Sequence, residues 1–323
     1  MLPNVLQPKE ADHVPVLAEE VRSCLDVQPG ETIVDATFGA GGHASILAAD
    51  LHGKGKLIAI DRDPTARTYF ERLAKRSTVN TRLLRGDFGV VLPQLAENGV
   101  RADAILLDLG VSSMQLDRPE RGFSYATDAP LDMRMDPTQD VSASDVVNTW
   151  DERELATIFR RYGEERYARQ IARAIVRRRR EQPFERTGEL VDTIKCAIPA
   201  PARFGEGHPA KRVFQALRIA VNGELDSLES ALPAALEMLR PGGRLAVISF
   251  HSLEDRIVKR FMRERERGCT CPPDFPVCVC GNEPELRALQ RRPVRPGQAE
   301  VAANPRSASA RLRVAVKTEA GEA

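Results

Sequence analysis

The chain has 323 residues, enough for two domains or for one enlarged domain. Hydrophobic residues make up 42% and charged residues 29%, which is ordinary for a globular protein that folds in water. No apolar signal segment opens the chain, and no apolar run approaches the ~20 residues of a membrane span. We therefore expect a cytoplasmic protein without a membrane partner.

The stretch 32–44 predicts a short strand, a glycine-rich turn and the start of a helix. Asp35 closes a β-branched run, and three glycines then precede the helical segment: Gly39, Gly41 and Gly42. This order seats a nucleotide-like cofactor in doubly wound α/β folds, because glycines let the backbone approach the ligand and the helix N-terminus points at it. A tight turn without any ligand is the alternative.

Three further strand-like runs, 56–61, 81–85 and 102–108, alternate with helical segments. An acid stands at or just after the end of each of the four strands, namely Asp35, Asp61, Asp87 and Asp108. In an open α/β sheet the ligand binds outside the carboxyl ends of the strands. Because four like charges on one edge are costly unless they bind donors, the pattern predicts a donor-rich or positively charged ligand.

The alternation stops between 115 and 212, where helical patterns replace strands. Within 164–182 one stripe is apolar and the other faces carry seven arginines. Strand-like runs return at 244–250 and 311–316. We therefore expect an α/β fold with an all-helical insertion. Its three parts are 1–116, the first part of the sheet domain, 117–212, the insertion, and 213–323, the second part of the sheet domain.

Two cofactors compete for the glycine turn. A nicotinamide cofactor explains the glycines and Asp61, which follows Gly41 by 20 residues (61 − 41 = 20), as a ribose-binding acid would. It needs neither Asp35 nor the pair of Asp87 and Phe88. S-Adenosylmethionine explains all of them. The acid before the glycines serves the amino-acid end of the ligand, the acid after the second strand serves the ribose, and the Asp-Phe pair flanks the adenine.

Eight stretches together resemble the bacterial ribosomal RNA small subunit methyltransferase H family. They are HVPVL (13–17), DATFGAGGH (35–43), AIDRDP (59–64), LDLGVSS (107–113), RGFS (121–124), PLDMRMD (130–136), YGEER (162–166) and SFHSLEDR (249–256). The resemblance implies a Rossmann-like S-adenosylmethionine-dependent methyltransferase sheet with an inserted all-helical domain. It also implies N4-methylation of a cytidine in the decoding region of 16S rRNA in the small ribosomal subunit. The cofactor contacts that it implies are Gly41, Gly42, His43, Asp61, Phe88, Asp108 and Gln115.

Asp108 is the candidate catalytic residue. It occupies the place after the fourth strand where amino-methyltransferases carry an acid or amide followed by two prolines and an aromatic. Here the chain continues Gly-Val-Ser-Ser, so the usual stacking aromatic is missing. The exocyclic amine of cytosine is a poor nucleophile because its lone pair is delocalised into the ring. We expect Asp108 or a nearby backbone carbonyl to accept a hydrogen bond from that amine.

Basic residues of the insertion are the candidates for substrate binding. The arginine-rich helix, with Arg177 and Arg178, fits a row of RNA phosphates, although a solvated basic face explains it too. His208 and Arg212 stand where the insertion returns to the sheet, and either substrate contact or helix capping accounts for them.

Four cysteines near the C-terminus form two Cys-x-Cys steps: Cys269, Cys271, Cys278 and Cys280. Four thiolates suit structural zinc, and free or redox-active thiols are the alternative. The sequence also allows two interpretations for each of two histidines. His43 either touches the ligand or stabilises the turn, and His251 is either a core or capping residue or a base.

Three other functions compete with the methyltransferase. A nicotinamide oxidoreductase is disfavoured by Asp35 and Asp87. A ribosome-binding factor would use the fold without catalysis. A methyltransferase for small molecules would have no use for the large basic insertion.

Overall fold

The computed structural model describes residues 15–203, 208–267, 271, 275, 277 and 280–319. The chain forms two compact units: a sheet unit, Met1–Gly110 with Ser227–Ala323, and a helical unit, Val111–Asp226. The predicted α/β fold with an all-helical insertion is therefore confirmed. Among the residues described, no helix is both long and apolar enough to cross a bilayer.

A seven-stranded sheet forms the centre of the sheet unit. Its strands are β1 Thr32–Asp35, β2 Lys56–Asp61, β3 Asn80–Arg85, β4 Ala102–Asp108, β5 Leu239–Ser249, β6 Leu286–Ala288 and β7 Arg311–Lys317. The order is β3-β2-β1-β4-β5-β7-β6. Strands β1 to β5 are parallel, and β7 is antiparallel to β5 and β6. The order reverses between β1 and β4, and such a switch point opens a ligand crevice at the carboxyl ends of its strands.

The α-helices are, in chain order, α1 Ala18–Leu25, α2 Gly42–Asp50, α3 Ala66–Arg76, α4 Phe88–Glu97, α5 Ser113–Leu116, α6 Ala143–Thr149, α7 Glu152–Arg161, α8 Ala168–Arg178, α9 Thr187–Ala197, α10 Ala200–Arg203, α11 Lys211–Asn222, α12 Glu224–Met238, α13 Ser252–Arg267 and α14 Gln298–Ala303. Short 3₁₀ helices lie at Pro119–Arg121 and Pro305–Ser309.

Alternate residues of the strands fill two cores, one on each face of the sheet. Ile33 packs with α1, α2 and α3 on one face, and its neighbour Val34 packs with α4, α12 and α13 on the other. This alternation follows from the two-residue period of a strand. The sheet is therefore packed between two layers of helices, and this packing fixes the positions of the carboxyl ends of the strands.

The helical unit has a core of its own around the fully buried Phe159 and Phe184. Helix α8 packs against α7 and α9, and α11 packs against α6 and α7. The apolar face of α11 is buried in this core, so the unit extends to Asp226. A boundary after residue 212, as predicted from the sequence, would separate most of α11 from the helices that cover it.

Three local features differ from the sequence-based expectations. The helix expected over 164–182 spans only Ala168–Arg178, because Glu164 has a left-handed φ of 50°. The helical sequence pattern over 213–239, which by itself predicts one helix, forms two, because the chain turns at Gly223, which has a φ of 61°. Strand β6 was not anticipated, because a three-residue run offers no readable alternation.

Candidate active site

The glycine turn connects β1 to α2 beneath the crevice. Phe38 N–H donates to the carbonyl of Ile60 at 2.9 Å, which fastens the turn to the end of β2. Gly41 has a φ of 79°, and a Cβ on it would lie 2.6 Å from the Phe38 ring. Only glycine fits this position, because it adopts this φ without strain and leaves room for the Phe38 ring.

Asp61 at the end of β2 holds the turn from the other side. Its Oδ2 accepts the Gly39 N–H at 2.6 Å, and its Oδ1 accepts the Asp63 N–H at 2.8 Å. Burial raises the pKa of Asp61 to about 6, and the two backbone hydrogen bonds partly offset this effect. A carboxylate has about four acceptor positions, so two remain for the hydroxyls of a ligand.

Asp35 and Asp108 end the two strands that flank the switch point. Thr37 links them, because its N–H donates to Asp35 Oδ1 at 3.1 Å and its Oγ1 accepts the Asp108 N–H at 2.6 Å. Burial, followed by the charge of Asp61, raises the pKa of Asp35 to about 7. Two acids held this closely form a strongly negative edge once they ionise.

Asp108 is the most perturbed of these acids. Burial, followed by the charges of Asp35 and Glu254, raises its pKa to about 8. Its side chain keeps 26% exposure, yet Oδ1 is buried and has no hydrogen-bond partner in the described part of the chain. The carboxyl is thus partly accessible, and its buried oxygen has unused acceptor capacity.

His43, in the first turn of α2, faces the other oxygen of Asp108. Its Nε2 lies 3.6 Å from Asp108 Oδ2, beyond hydrogen-bonding distance, and is itself buried without a hydrogen-bond partner among the described residues. Burial lowers the pKa of His43 to about 4, although a hydrogen bond to the Val16 backbone opposes the shift. The imidazole is therefore neutral near pH 7.

Asp87, expected beside the adenine, is committed to structural contacts. Its Oδ1 caps α4 by accepting the Gly89 N–H at 2.6 Å, and its Oδ2 accepts the Ser227 hydroxyl at 2.8 Å. Arg62 Nη1 lies 3.0 Å from the same Oδ2. The adjacent Phe88 opens α4 and is partly buried against the core.

Two residues of the site were missed from the sequence. Thr37 joins β1 to β4, and Glu254 in the first turn of α13 raises the pKa of Asp108. Glu254 is only 2% exposed, and it accepts the backbone N–H groups of Phe250 at 2.7 Å and His251 at 3.2 Å. The sequence offered one signal for Glu254 as a site residue, its position in the first turn of the helix that follows β5. His251 in turn accepts the Glu254 N–H through Nδ1 at 3.4 Å, as a capping histidine does.

The remaining candidates belong to the helical unit. Gln115 is buried there and accepts the Ser112 N–H at 3.1 Å. Arg178 lies over the Phe184 ring, 4.4 Å from its centroid, and donates to the Gln182 carbonyl at 2.7 Å. These contacts give Arg178 a structural role, whereas Arg177 is exposed.

His208 and Arg212 stand at the start of α11. The His208 ring stacks on Tyr125, with ring centroids 4.6 Å apart, and its Nδ1 accepts the Ala210 N–H at 3.2 Å. Arg212 is exposed and donates to the Glu164 carbonyl at 3.3 Å. Of the four cysteines, Cys269 and Cys278 lie outside the described residues, so a zinc site with Cys271 and Cys280 stays a prediction.

The crevice residues fit S-adenosylmethionine. That ligand carries a positively charged sulfur, an ammonium group and ribose hydroxyls, which are the partners that three closely spaced acids, one buried and two half-buried, require. Fold and site together define a Rossmann-like methyltransferase.

Comparison with known proteins specifies the family. The model of the MraW methylase family matches residues 10–318. The chain is 54% identical to ribosomal RNA small subunit methyltransferase H of Heliobacterium modesticaldum, over 94% of this chain and 98% of the relative. It is also 54% identical to the protein of that name from Symbiobacterium thermophilum, over 96% and 98%. The chain belongs to the MraW methylase family, which confirms the predicted resemblance and S-adenosylmethionine as the cofactor.

A solved rRNA methylase from Streptococcus thermophilus has a TM-score of 0.41 and 12% identity, over 94% of each chain. That likeness is too low to support an inference.

Proposed function

We propose that this protein methylates N4 of a cytidine in the decoding region of 16S rRNA, within the small ribosomal subunit and in the cytoplasm. The named relatives and the shared motifs support this substrate. The observation that carries the chemistry is Asp108 at the switch point, with a buried, unpaired oxygen beside a neutral histidine.

The sheet unit would hold the cofactor through the glycine turn and the acids. S-Adenosylmethionine supplies a methyl group on a positively charged sulfur. Asp61 offers its two free acceptor positions to the ribose, and Asp35 offers its carboxylate to the amino-acid end. Phe88 offers an aromatic face to the adenine. Gln115 of the helical unit remains a proposed cofactor contact.

Asp108 is the proposed proton acceptor. The cytosine amine becomes a better nucleophile as an acceptor takes up one of its hydrogens, because the nitrogen lone pair is then less committed to the ring. Asp108 is protonated below its pKa of about 8. A positive charge near the carboxyl lowers that pKa, because it favours the ionised form. Asp108 therefore becomes a base when the cationic ligand is in place.

RNA binding is proposed for the exposed arginines of α8. Arg169, Arg173 and Arg177 are exposed, and Arg180 follows the end of the helix with an exposed side chain. Phosphate contacts from such residues give affinity without sequence specificity. A target base must leave its stack to be methylated, at a cost of a few kcal/mol.

The test is mass spectrometry of 16S rRNA after incubation of small subunits with the protein and isotope-labelled S-adenosylmethionine. The expected product is labelled N4-methylcytidine at one decoding-region position. Naked 16S rRNA serves as a parallel substrate, because methylation of the subunit alone would identify the assembled particle as the substrate. Absence of methylcytidine from both would overturn the proposal.

A further inference from the structure

Helix α13 carries a row of exposed cations, which we call the α13 ridge. Its buried residues are the apolar Leu253, Val258 and Met262 and, in the first turn, the acids Glu254 and Asp255. Six basic residues of the helix are exposed. Arg265 pairs with Glu285 at 2.6 Å, and the five that form the ridge are Arg256, Lys259, Arg260, Arg263 and Arg267. At 3.6 residues per turn, these positions fall within an arc of about 100° on the side opposite the core.

The ridge is electrostatically unfavourable for the helix by itself. Its members are three or four residues apart, and each like-charged pair at this spacing costs about 0.2–0.5 kcal/mol. Arg260 pairs with Glu229 on α12 at 2.9 Å and stands four residues before Glu264, but all three side chains are exposed. Such a pair contributes about 0–1 kcal/mol, so it does not explain why the cations are grouped.

The ridge begins beside the reaction site. In the sheet, Asp108 of β4 is the register partner of Ile248 of β5, and α13 begins at Ser252, directly after the turn that follows β5. From Arg256 to Arg267 the helix advances about 16 Å away from this edge, at about 1.5 Å per residue. Phosphates advance about 3.4 Å per nucleotide along a duplex strand, so this length matches several consecutive nucleotides.

We propose that the α13 ridge binds the phosphate backbone of the substrate RNA next to the methylated nucleotide. The inference rests on the proposed function, since it assumes an RNA substrate. It adds a contact surface on the sheet unit, separate from the arginines of α8. Its positive charge, its alignment and its start beside Asp108 each fit a polyanion whose target base enters the crevice.

The test compares two triple variants that lose the same charge. The ridge variant is Lys259→Gln/Arg263→Gln/Arg267→Gln, which leaves Arg260 and its ion pair intact. The control on α3 is Arg67→Gln/Arg72→Gln/Lys75→Gln, whose exposed cations do not form one row. Affinity for a fragment of 16S rRNA that contains the decoding region is measured by fluorescence anisotropy across a range of salt concentrations.

The ridge variant is expected to bind at least tenfold more weakly at low salt. The slope of log affinity against log salt should fall by about 2–3, since each phosphate contact contributes about 0.7 on a single strand and about 0.9 on a duplex. The control should keep the wild-type slope. Calorimetry with S-adenosylmethionine should give wild-type affinity for both variants, which shows that the sheet unit is folded.

Equal slopes for the two variants, with a wild-type enzyme that methylates 16S rRNA, would overturn the ridge proposal and leave the proposed function standing. Unchanged binding of naked RNA combined with lost binding of the assembled subunit would also overturn it, because the ridge would then meet a ribosomal protein. A wild-type enzyme that forms no methylcytidine would instead refute the proposed function.

Discussion

Single residues at the crevice show which parts of a site can be predicted from sequence. Asp35, Asp61 and Asp108 were predicted because each closes a recognisable strand, and the ends of parallel strands share an edge. Thr37 was not, because its role depends on a hydrogen bond to Asp108, 71 residues away. Glu254 was missed for the same reason, since its effect on Asp108 depends on how α13 packs.

The role of Asp108 predicts a distinctive pH profile. Because kcat/KM for S-adenosylmethionine reports the enzyme before the cofactor binds, it should rise with pH and level off above about 8, where Asp108 is ionised. Asp108→Asn should remove that rise and lower kcat by about 10²–10⁴-fold. Steady-state kinetics with 16S rRNA between about pH 6 and 9 measure both effects.

Cofactor affinity of Asp108→Asn at about pH 6 is the control for this profile, because the side chain is then neutral in both proteins. A variant with the wild-type rate and an unchanged pH profile would remove Asp108 from the role of proton acceptor.

We predict that Asp35 lowers the stability of the ligand-free protein and strengthens cofactor binding. Its pKa rises from 3.8 in the unfolded chain to about 7 in the folded protein, so its contribution to stability is lost as the pH rises through 7. Asp35→Asn should stabilise the ligand-free protein more at about pH 8 than at pH 5, by on the order of 2 kcal/mol. Urea denaturation at the two pH values measures this, and calorimetry should show weaker cofactor binding. An equal effect at both pH values would contradict it.

At the scale of elements, the existence of helices and strands was readable, but several of their ends were not. Periodicity indicated α8 and α11 correctly. Their limits depend on single backbone conformations, a left-handed Glu164 before one helix and a left-handed Gly223 after the other. Composition also could not separate the arginines of α8 by role, because only packing shows which of them have partners.

Substitutions of Arg177 and Arg179 can separate the two roles of these arginines, RNA binding and structural hydrogen bonding. Arg179 Nη1 donates to the carbonyls of Val147 and Trp150, each at 2.7 Å, at the end of α6. Arg179→Ala should cost about 1–3 kcal/mol of stability, because these acceptors lose their donor. Arg177→Ala should change stability by less than about 0.5 kcal/mol and weaken RNA binding. Denaturation and RNA-binding measurements on both variants test this, and equal stability losses would contradict the assignment.

For the whole molecule, the sheet order was beyond single-sequence reasoning. The alternation of strands and helices predicted parallel strands, but it did not say on which side of β1 each later strand would lie. The switch point between β1 and β4 follows from that order. It explains why Asp35 and Asp108 stand at the ends of neighbouring strands, whereas Asp87 follows the edge strand β3 and caps α4.

The same arrangement predicts how stability depends on pH. Asp61, Asp35 and Asp108 have pKa values near 6, 7 and 8 in the folded protein. The stability that they contribute is therefore fully present below pH 3.8 and is lost as the pH rises through 8. His43 has the opposite dependence, because the stability that it contributes is present above pH 6.5 and is lost as the pH falls through about 4. Burial works against ionisation of Asp255, but hydrogen bonds from Arg313 and Arg311 outweigh it and lower its pKa, so its contribution is also lost in acid.

The ligand-free protein should therefore be most stable near pH 4, where the three acids are still protonated in the folded state and Asp255 is ionised, and its melting temperature should fall between pH 6 and 9. Saturating S-adenosylmethionine should reduce that fall, because a cation binds the ionised acids more tightly and binding to the folded state stabilises it. Thermal unfolding with and without the cofactor measures both effects. A ligand-free melting temperature that stays level or rises over this range would show that the acids of the crevice are ionised without cost, and that the crevice is not built around a positive charge.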